Sequence, residues 1–176
     1  MSTEFAVPIM IFYYYNSFII NNMRLEEKVS QKFIQQRKTL CLAESCTGGL
    51  ISHYLTNVPG ASAFFLLGII AYDNAAKTNI LGVAPELIKK HGAVSRAVAK
   101  AMAQGARKIL KTNLGLSVTG IAGPSGGNKK KPVGLVFIAV SSAKQTIVKK
   151  FLFKGSRLAI KNQAAQTALK ILAKSI

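Results

Sequence analysis

Acidic residues are scarce in this chain. Its 176 residues include only 6 aspartates and glutamates against 24 lysines and arginines, and the last acidic side chain is Glu86. Catalysis by a pair of carboxylates would therefore have to use Glu44 and Asp73. A calcium or magnesium site is nearly excluded for the same reason, because these cations need several oxygen ligands.

Histidine and cysteine are also rare. The chain has 2 histidines and 2 cysteines, and their positions lack the ligand spacing of a zinc site. Cys41 and Cys46 do not form a Cys-x-x-Cys pair, which favours reduced thiols in a cytoplasmic protein. Cys41 is expected in the core, whereas Cys46 is a weak rival to its neighbour Ser45 as a nucleophile.

No apolar stretch is long enough to cross a bilayer comfortably. The most apolar segment, residues 5–20, is interrupted by Pro8 and Asn16 and lacks the basic start and cleavage site of a signal peptide. An ordinary amphipathic pattern begins only at Met23. We therefore hypothesise that residues 1–22 are an extension from a mis-assigned start, with a membrane-surface anchor as the alternative. The domain itself is expected over residues 23–176, without a membrane partner.

The remaining sequence predicts one α/β domain. Its length suits a single core, and 49% of its residues are hydrophobic. Strand and helix patterns alternate and end in a hairpin and a helix, which predicts a three-layer α/β/α fold with a mixed sheet of about five strands. Strands are expected at 39–43, 64–72, 114–118, 133–141 and 146–153, and helices at 24–36, 47–56, 74–81, from Pro85, at 95–110 and at 156–174.

The turn after the first predicted strand combines several reactive groups. It places Ser45 next to a thiol, a second hydroxyl and two glycines, at the start of a helix. We interpret Ser45 as the best nucleophile candidate, with the backbone N–H groups of Thr47, Gly48 and Gly49 as a cradle for an anion or oxyanion. The alternative is that Ser45 and Thr47 only cap the helix.

Two further polar segments follow predicted strands. In the first, Lys77 lies one helical turn after Tyr72. A lysine held neutral by desolvation can act as the base of a serine, and Tyr72 could relay the proton or orient the pair. The alternatives are a solvated surface lysine and an ordinary strand end.

The second such segment is the glycine-rich stretch 119–127. It cannot be a Walker loop, because it lacks the Gly-Lys-Ser/Thr ending, but its glycines permit an anion-binding nest. Arg157, at the start of the last helix, could clamp a phosphate or form a salt bridge at the rim. Since ligands of open α/β sheets bind beyond strand ends, we expect these segments and the Ser45 turn to meet.

The net charge of +18 suggests binding to polyanions. However, the lysines from position 89 to 174 are spread along the chain and are not interleaved with aromatic residues as in single-strand binders. Nucleic-acid binding is therefore not favoured as the main role, and a solvated basic surface is the alternative.

Several segments together resemble one family. They are AESCTGG at 43–49, VPGAS at 58–62, AYDNAAK at 71–77, HGAVS at 91–95 and VTGIAGP at 118–124, and KPVG at 131–134 also fits. The resemblance is to the nicotinamide-nucleotide amidases, the PncC family, equivalent to the C-terminal domain of the competence/damage-inducible protein CinA. It implies a hydrolase without metal or cofactor that converts nicotinamide mononucleotide to nicotinic acid mononucleotide and ammonia.

The resemblance also assigns roles to individual residues. The family's nucleophilic serine falls on Ser45, its tyrosine on Tyr72 and its lysine base on Lys77. The residues expected to hold the pyridine nucleotide, besides the turn Thr47, Gly48 and Gly49, are Thr119, Gly120, Gly123 and Arg157.

The sequence departs from the family pattern at two places. Leu67-Gly68 stands in a strand where paired glycines are common, and Gly155-Ser156-Arg157 stands where Gly-Asp-Arg is usual. A non-catalytic nucleotide-binding or competence-related module is one alternative function, and a basic nucleic-acid-binding protein is another. A homodimer is compatible with the sequence, which identifies no interface residue.

Overall fold

A five-stranded sheet forms the centre of the protein in the computed structural model, which describes residues 23–176. β1 (Leu40–Glu44) pairs in parallel with both β2 (Phe65–Ile70) and β3 (Leu114–Gly120). β4 (Leu135–Ser141) pairs antiparallel with β3 and with β5 (Thr146–Leu152), so that the order is β2-β1-β3-β4-β5. The prediction of a mixed sheet of about five strands is confirmed.

Helices cover both faces of this sheet. The helices are α1 (Leu25–Gln35), α2 (Leu50–Thr56), α3 (Asn74–Asn79), α4 (Pro85–His91), α5 (Arg96–Ile109) and α6 (Arg157–Ala173). α1, α2 and α6 pack together on one face, and α5, with α4 beside it, lies against the other. The side chains of β1 alternate accordingly, since Leu40 and Leu42 belong to the core under α6 whereas Cys41 and Ala43 face α5. The predicted three-layer architecture is therefore confirmed.

The longest helix on the second face, α5, begins where its sequence predicts. The Ser95 hydroxyl accepts a hydrogen bond from the N–H of Val98 at 3.2 Å, as a helix cap does. Val98, Met102 and Ala106 of this helix are buried, whereas Ile109 is 39% exposed and lines a surface groove beside Ile80.

The parallel strands β1, β2 and β3 end at the same edge of the sheet. The turns that follow them therefore meet there, as the sequence predicts. Within residues 23–176, no helix has both the length and the apolar character that a membrane span requires. The two hypotheses about residues 1–22 concern a segment outside the described part of the chain.

Candidate active site

A cleft of about 260 Å³ opens at this edge of the sheet. Most of the predicted site residues line it, and these are Ser45, Tyr72, Lys77, Thr119, Gly120, Gly123 and Arg157. The structure thus brings together residues from the ends of the three parallel strands and from the start of α6. Thr47, Gly48 and Gly49 do not line the cleft, which differs from the prediction.

The reason for this difference is that the backbone N–H groups of the turn after β1 already have hydrogen-bond acceptors within the protein. Glu44, 1% exposed, accepts hydrogen bonds from the N–H groups of Gly49 at 3.1 Å, Ile51 at 3.1 Å and Ser52 at 2.8 Å, and from the Ser52 hydroxyl at 2.7 Å. The carboxylate therefore caps α2 from the preceding strand.

The N–H group of Gly48 is likewise occupied, since it donates to the carbonyl oxygen of Ser45 at 3.1 Å. Thr47 is fully buried, and its hydroxyl has no hydrogen-bond partner within residues 23–176. The N–H groups of Gly48 and Gly49, which were predicted to bind an anion, thus form hydrogen bonds that stabilise the turn. Ser45 and Cys46 reach the cleft instead.

Lys77 is not a solvated surface lysine. It is 2% exposed, and its Nζ donates to the carbonyl oxygens of Ala71 at 2.9 Å, Tyr72 at 3.0 Å and Asp73 at 3.3 Å. Burial lowers the pKa of Lys77, although the negative charge of Asp73 opposes this effect. None of the three hydrogen bonds goes to Ser45, which lines the same cleft.

Tyr72 and Arg157 form a contact at the mouth of the cleft. The guanidinium of Arg157 donates to the Tyr72 hydroxyl at 2.7 Å through Nη2 and to the Gly123 carbonyl at 2.8 Å through Nη1. Tyr72 is 58% exposed. The hydroxyl predicted to assist Lys77 is therefore tied to Arg157 instead, and Arg157 forms no salt bridge within the described chain.

Thr119 and Gly120 form the floor of the cleft at the end of β3. The Thr119 hydroxyl, almost fully buried, donates to the Ala93 carbonyl at 3.0 Å. A side chain at Gly120 would not fit, because a Cβ there would lie 2.6 Å from Val136 Cγ2 and 3.1 Å from Cys46 Sγ. The close packing of Val136 and Cys46 around Gly120 therefore requires glycine at this position of the floor.

The remaining candidates for reactive groups have structural explanations. Burial raises the pKa of Cys46 to about 12, so the thiol stays protonated at neutral pH and is a poor nucleophile. The Asp73 carboxylate caps α3 by accepting from the N–H of Ala75 at 2.7 Å, and Glu44 caps α2. The possible carboxylate pair is therefore engaged in capping two helices.

The structure adds cleft residues that sequence reasoning did not single out. The polar ones are Asn74 and Ser125, and Ala93 and Val94 contribute from the segment before α5. Asn74 and Ser125 lie inside segments that the sequence does indicate. Ala93 and Val94 lie inside the HGAVS segment of the family resemblance but carry no reactive group, and the Ala93 carbonyl accepts the hydrogen bond of Thr119.

The fold and the cleft define a three-layer α/β domain with a serine and a buried lysine at the carboxyl ends of parallel strands. The family model described as the CinA C-terminal domain matches residues 22–176. The chain belongs to this family.

Individual relatives agree with this assignment. A CinA-like protein of Acidobacterium capsulatum is 50% identical over 144 residues, covering 81% of this chain and 35% of that protein. A CinA superfamily protein from Klebsiella pneumoniae matches with a TM-score of 0.83 at 30% identity, covering 86% of this chain and 94% of that one. The competence/damage inducible protein CihA from Agrobacterium tumefaciens gives 0.79 at 36% identity, with 86% and 96% covered. The chain spans about a third of the length of the curated relatives that it matches.

Proposed function

We propose that this domain is an amidohydrolase that converts nicotinamide mononucleotide to nicotinic acid mononucleotide and ammonia, in cytoplasmic recycling of pyridine nucleotides. The observation that carries the proposal is that Ser45 and the buried Lys77 open onto one cleft, with Arg157 at its mouth. A hydroxyl and an amine of lowered pKa that share one cleft are suited to nucleophilic attack once the amine turns toward the hydroxyl.

The reaction begins with activation of the serine. Lys77, which donates three hydrogen bonds as an ammonium, first loses one proton to solvent. The neutral amine then takes the proton of Ser45 Oγ, and Oγ attacks the carboxamide carbon of the substrate. Before this step the Lys77 amine turns from its carbonyl acceptors toward Ser45, since hydrogen bonds between catalytic groups often tighten only when substrate is bound.

The tetrahedral intermediate then needs a donor for its negatively charged oxygen. We assign the N–H group of Cys46, because Cys46 lines the cleft, directly follows Ser45 and donates to no backbone carbonyl within residues 23–176. The C–N bond breaks, and the leaving amine takes the proton held by Lys77 and departs as ammonia. Lys77 then takes a proton from water, and the water oxygen attacks the carbonyl carbon of the acyl-serine. The bond from that carbon to Ser45 Oγ breaks, Oγ takes the proton back from Lys77, and the released acid ionises to the carboxylate product.

The nucleotide part of the substrate extends toward Arg157. Its guanidinium is a planar donor suited to a phosphate, and the cleft holds no carboxylate among its described lining residues to compete for it. Thr119 and Gly120 on the floor of the cleft, and Gly123 next to Arg157, would contact the ribose.

A second candidate is a nucleotide-binding or competence-related module without catalysis. The hydrogen bonding of Lys77 favours it, since all three bonds of Nζ go to backbone carbonyls and none to Ser45. In that case the cleft would bind the nucleotide, and Lys77 would serve only to hold the turn after β2.

Ammonia release from nicotinamide mononucleotide separates the two candidates. The wild type should release ammonia, Ser45→Ala and Lys77→Met should not, and Cys46→Ala is the matched control that retains activity. Isothermal titration of the same ligand should show that Ser45→Ala still binds it. Tight binding by an inactive wild type would support the module, and loss of activity in Cys46→Ala alone would overturn the choice of nucleophile.

A further inference from the structure

Within residues 23–176 the positive charge is almost entirely unpaired. All 24 lysines and arginines lie between Arg24 and Lys174, within the described residues, together with 5 of the 6 acidic side chains. Among these residues, only Arg24 forms an ion pair, with Glu26 and Glu27 of α1. The carboxylates of Glu44 and Asp73 are used to cap helices. Apart from the buried Lys77, the described cations outside α1 therefore have no acidic partner and can meet an external anion.

Two cations link separate elements on the α5 side of the sheet. Lys131 Nζ donates to the carbonyl oxygen of His91 at the end of α4, across 40 positions of sequence. Arg96, at the start of α5, donates through Nη1 to the Val148 carbonyl of β5 at 2.7 Å. Both cations are thus held in place by backbone carbonyls, which reduces the conformational freedom that binding would otherwise remove.

Further basic residues extend this group on both sides. Lys150 lies two residues after Val148 on β5, so its side chain is on the same face of the strand, and Lys100 follows Arg96 by one turn of α5. We call this set the basic band, and it consists of Arg96, Lys100, Lys131 and Lys150.

The surroundings of the basic band do not neutralise it. Within residues 23–176 no acidic side chain forms an ion pair with the basic band, and Glu86, in the first turn of α4, is itself unpaired. The aromatic ring beside the band, Phe137, is only 8% exposed. An anion would therefore meet amines and a guanidinium without an aromatic surface on which to stack a base.

We propose that the basic band binds the phosphate backbone of double-stranded nucleic acid without sequence preference. Four cations on the α5 side of the sheet can contact the closely spaced phosphates of a duplex. Single strands fit less well, because they are usually held by base stacking on exposed aromatic rings. A lipid surface fits less well too, because Leu152 is the exposed apolar side chain beside Lys150 and offers little area for insertion. This role is separate from the chemistry of the cleft.

Fluorescence anisotropy with a labelled DNA duplex of about 20 base pairs tests the proposal. The wild type should bind with an affinity that falls steeply between about 50 and about 200 mM salt. The triple variant Arg96→Gln/Lys100→Gln/Lys150→Gln removes three contacts and should flatten the slope of log K against log salt by about 2.7. The salt-dependent loss of affinity over this range then becomes about 40-fold smaller.

The matched control removes the same charge from the opposite face. Arg37→Gln/Lys170→Gln/Lys174→Gln should keep the wild-type slope, and circular dichroism melts should show that both triple variants are folded. Equal losses in the two variants would overturn the location of the site, because net charge alone would then explain binding. A wild type that does not bind the duplex, or that binds only vesicles rich in phosphatidylserine, would overturn the proposal itself.

Discussion

Replacing Glu44 with glutamine should strongly destabilise this domain. The Glu44 carboxylate is buried and accepts four hydrogen bonds, three of them from backbone N–H groups of Gly49, Ile51 and Ser52. The shape of the side chain is unchanged in Glu44→Gln, but one of the two oxygens becomes an NH2 group. That group cannot accept a hydrogen bond and faces donors instead.

The magnitude follows from these hydrogen bonds. At least one N–H group or hydroxyl loses its acceptor, at about 1–3 kcal/mol for each buried unsatisfied group, and the remaining bonds lose the assistance of the charge. We therefore expect Glu44→Gln to lower the free energy of unfolding by about 3 kcal/mol. A typical domain is stable by about 5–15 kcal/mol, so the variant should still fold and remain measurable.

Urea unfolding followed by circular dichroism measures this change. With a slope of about 2 kcal/mol per molar urea, the midpoint of Glu44→Gln should fall by about 1.5 M. Glu86→Gln is the matched control, because Glu86 is exposed in the first turn of α4 and should contribute below about 1 kcal/mol. A Glu44→Gln variant as stable as the wild type would refute the capping argument. If that variant had also lost activity, a chemical role for Glu44 would have to replace it.

Two further predictions concern the base and the sheet. Because burial lowers the pKa of Lys77 and the neutral amine is the base, kcat/KM for ammonia release should rise with pH along a limb centred below the ordinary lysine value of about 10.4. Lys77→Arg should be inactive throughout the range, and an unchanged profile in this variant would exclude Lys77 as the base. Gly134 has φ +90° and a Cβ there would collide with the Phe153 carbonyl, so Gly134→Ala should cost about 2–4 kcal/mol in urea unfolding. Gly82→Ala shares the positive φ but has open space around it, so it should cost only about 1 kcal/mol, and equal effects would contradict the collision.

Much of the fold could be predicted because local signals decide it. The apolar runs become strands, and the caps Asp73, Ser95 and Ser156 begin helices where their spacing to the first turn indicates. The start of α2 could not be predicted in this way. Its N–H groups are satisfied by a carboxylate up to eight positions earlier in the chain, and the sequence pattern of capping boxes does not include this arrangement.

The location of the candidate site could be predicted from the sequence. The hydrogen bonds among its side chains could not. Strand ends and polar segments bring Ser45 and Lys77 to the same edge without any knowledge of packing. The partner of Tyr72, by contrast, is Arg157, which lies 85 positions away. Such a bond depends on where α6 begins above the sheet, and this is set by the whole core and not by a local pattern.

The antiparallel half of the sheet provides a position at which a label can be attached to this protein. Since β4 runs opposite to β3, the hairpin turn at residues 142–145 emerges beside the beginning of β3, at the end of the sheet remote from the cleft. Six residues of strand, or about 20 Å, separate the two ends. A fluorophore or an affinity peptide attached at this turn can therefore report on the molecule while leaving its chemistry untouched.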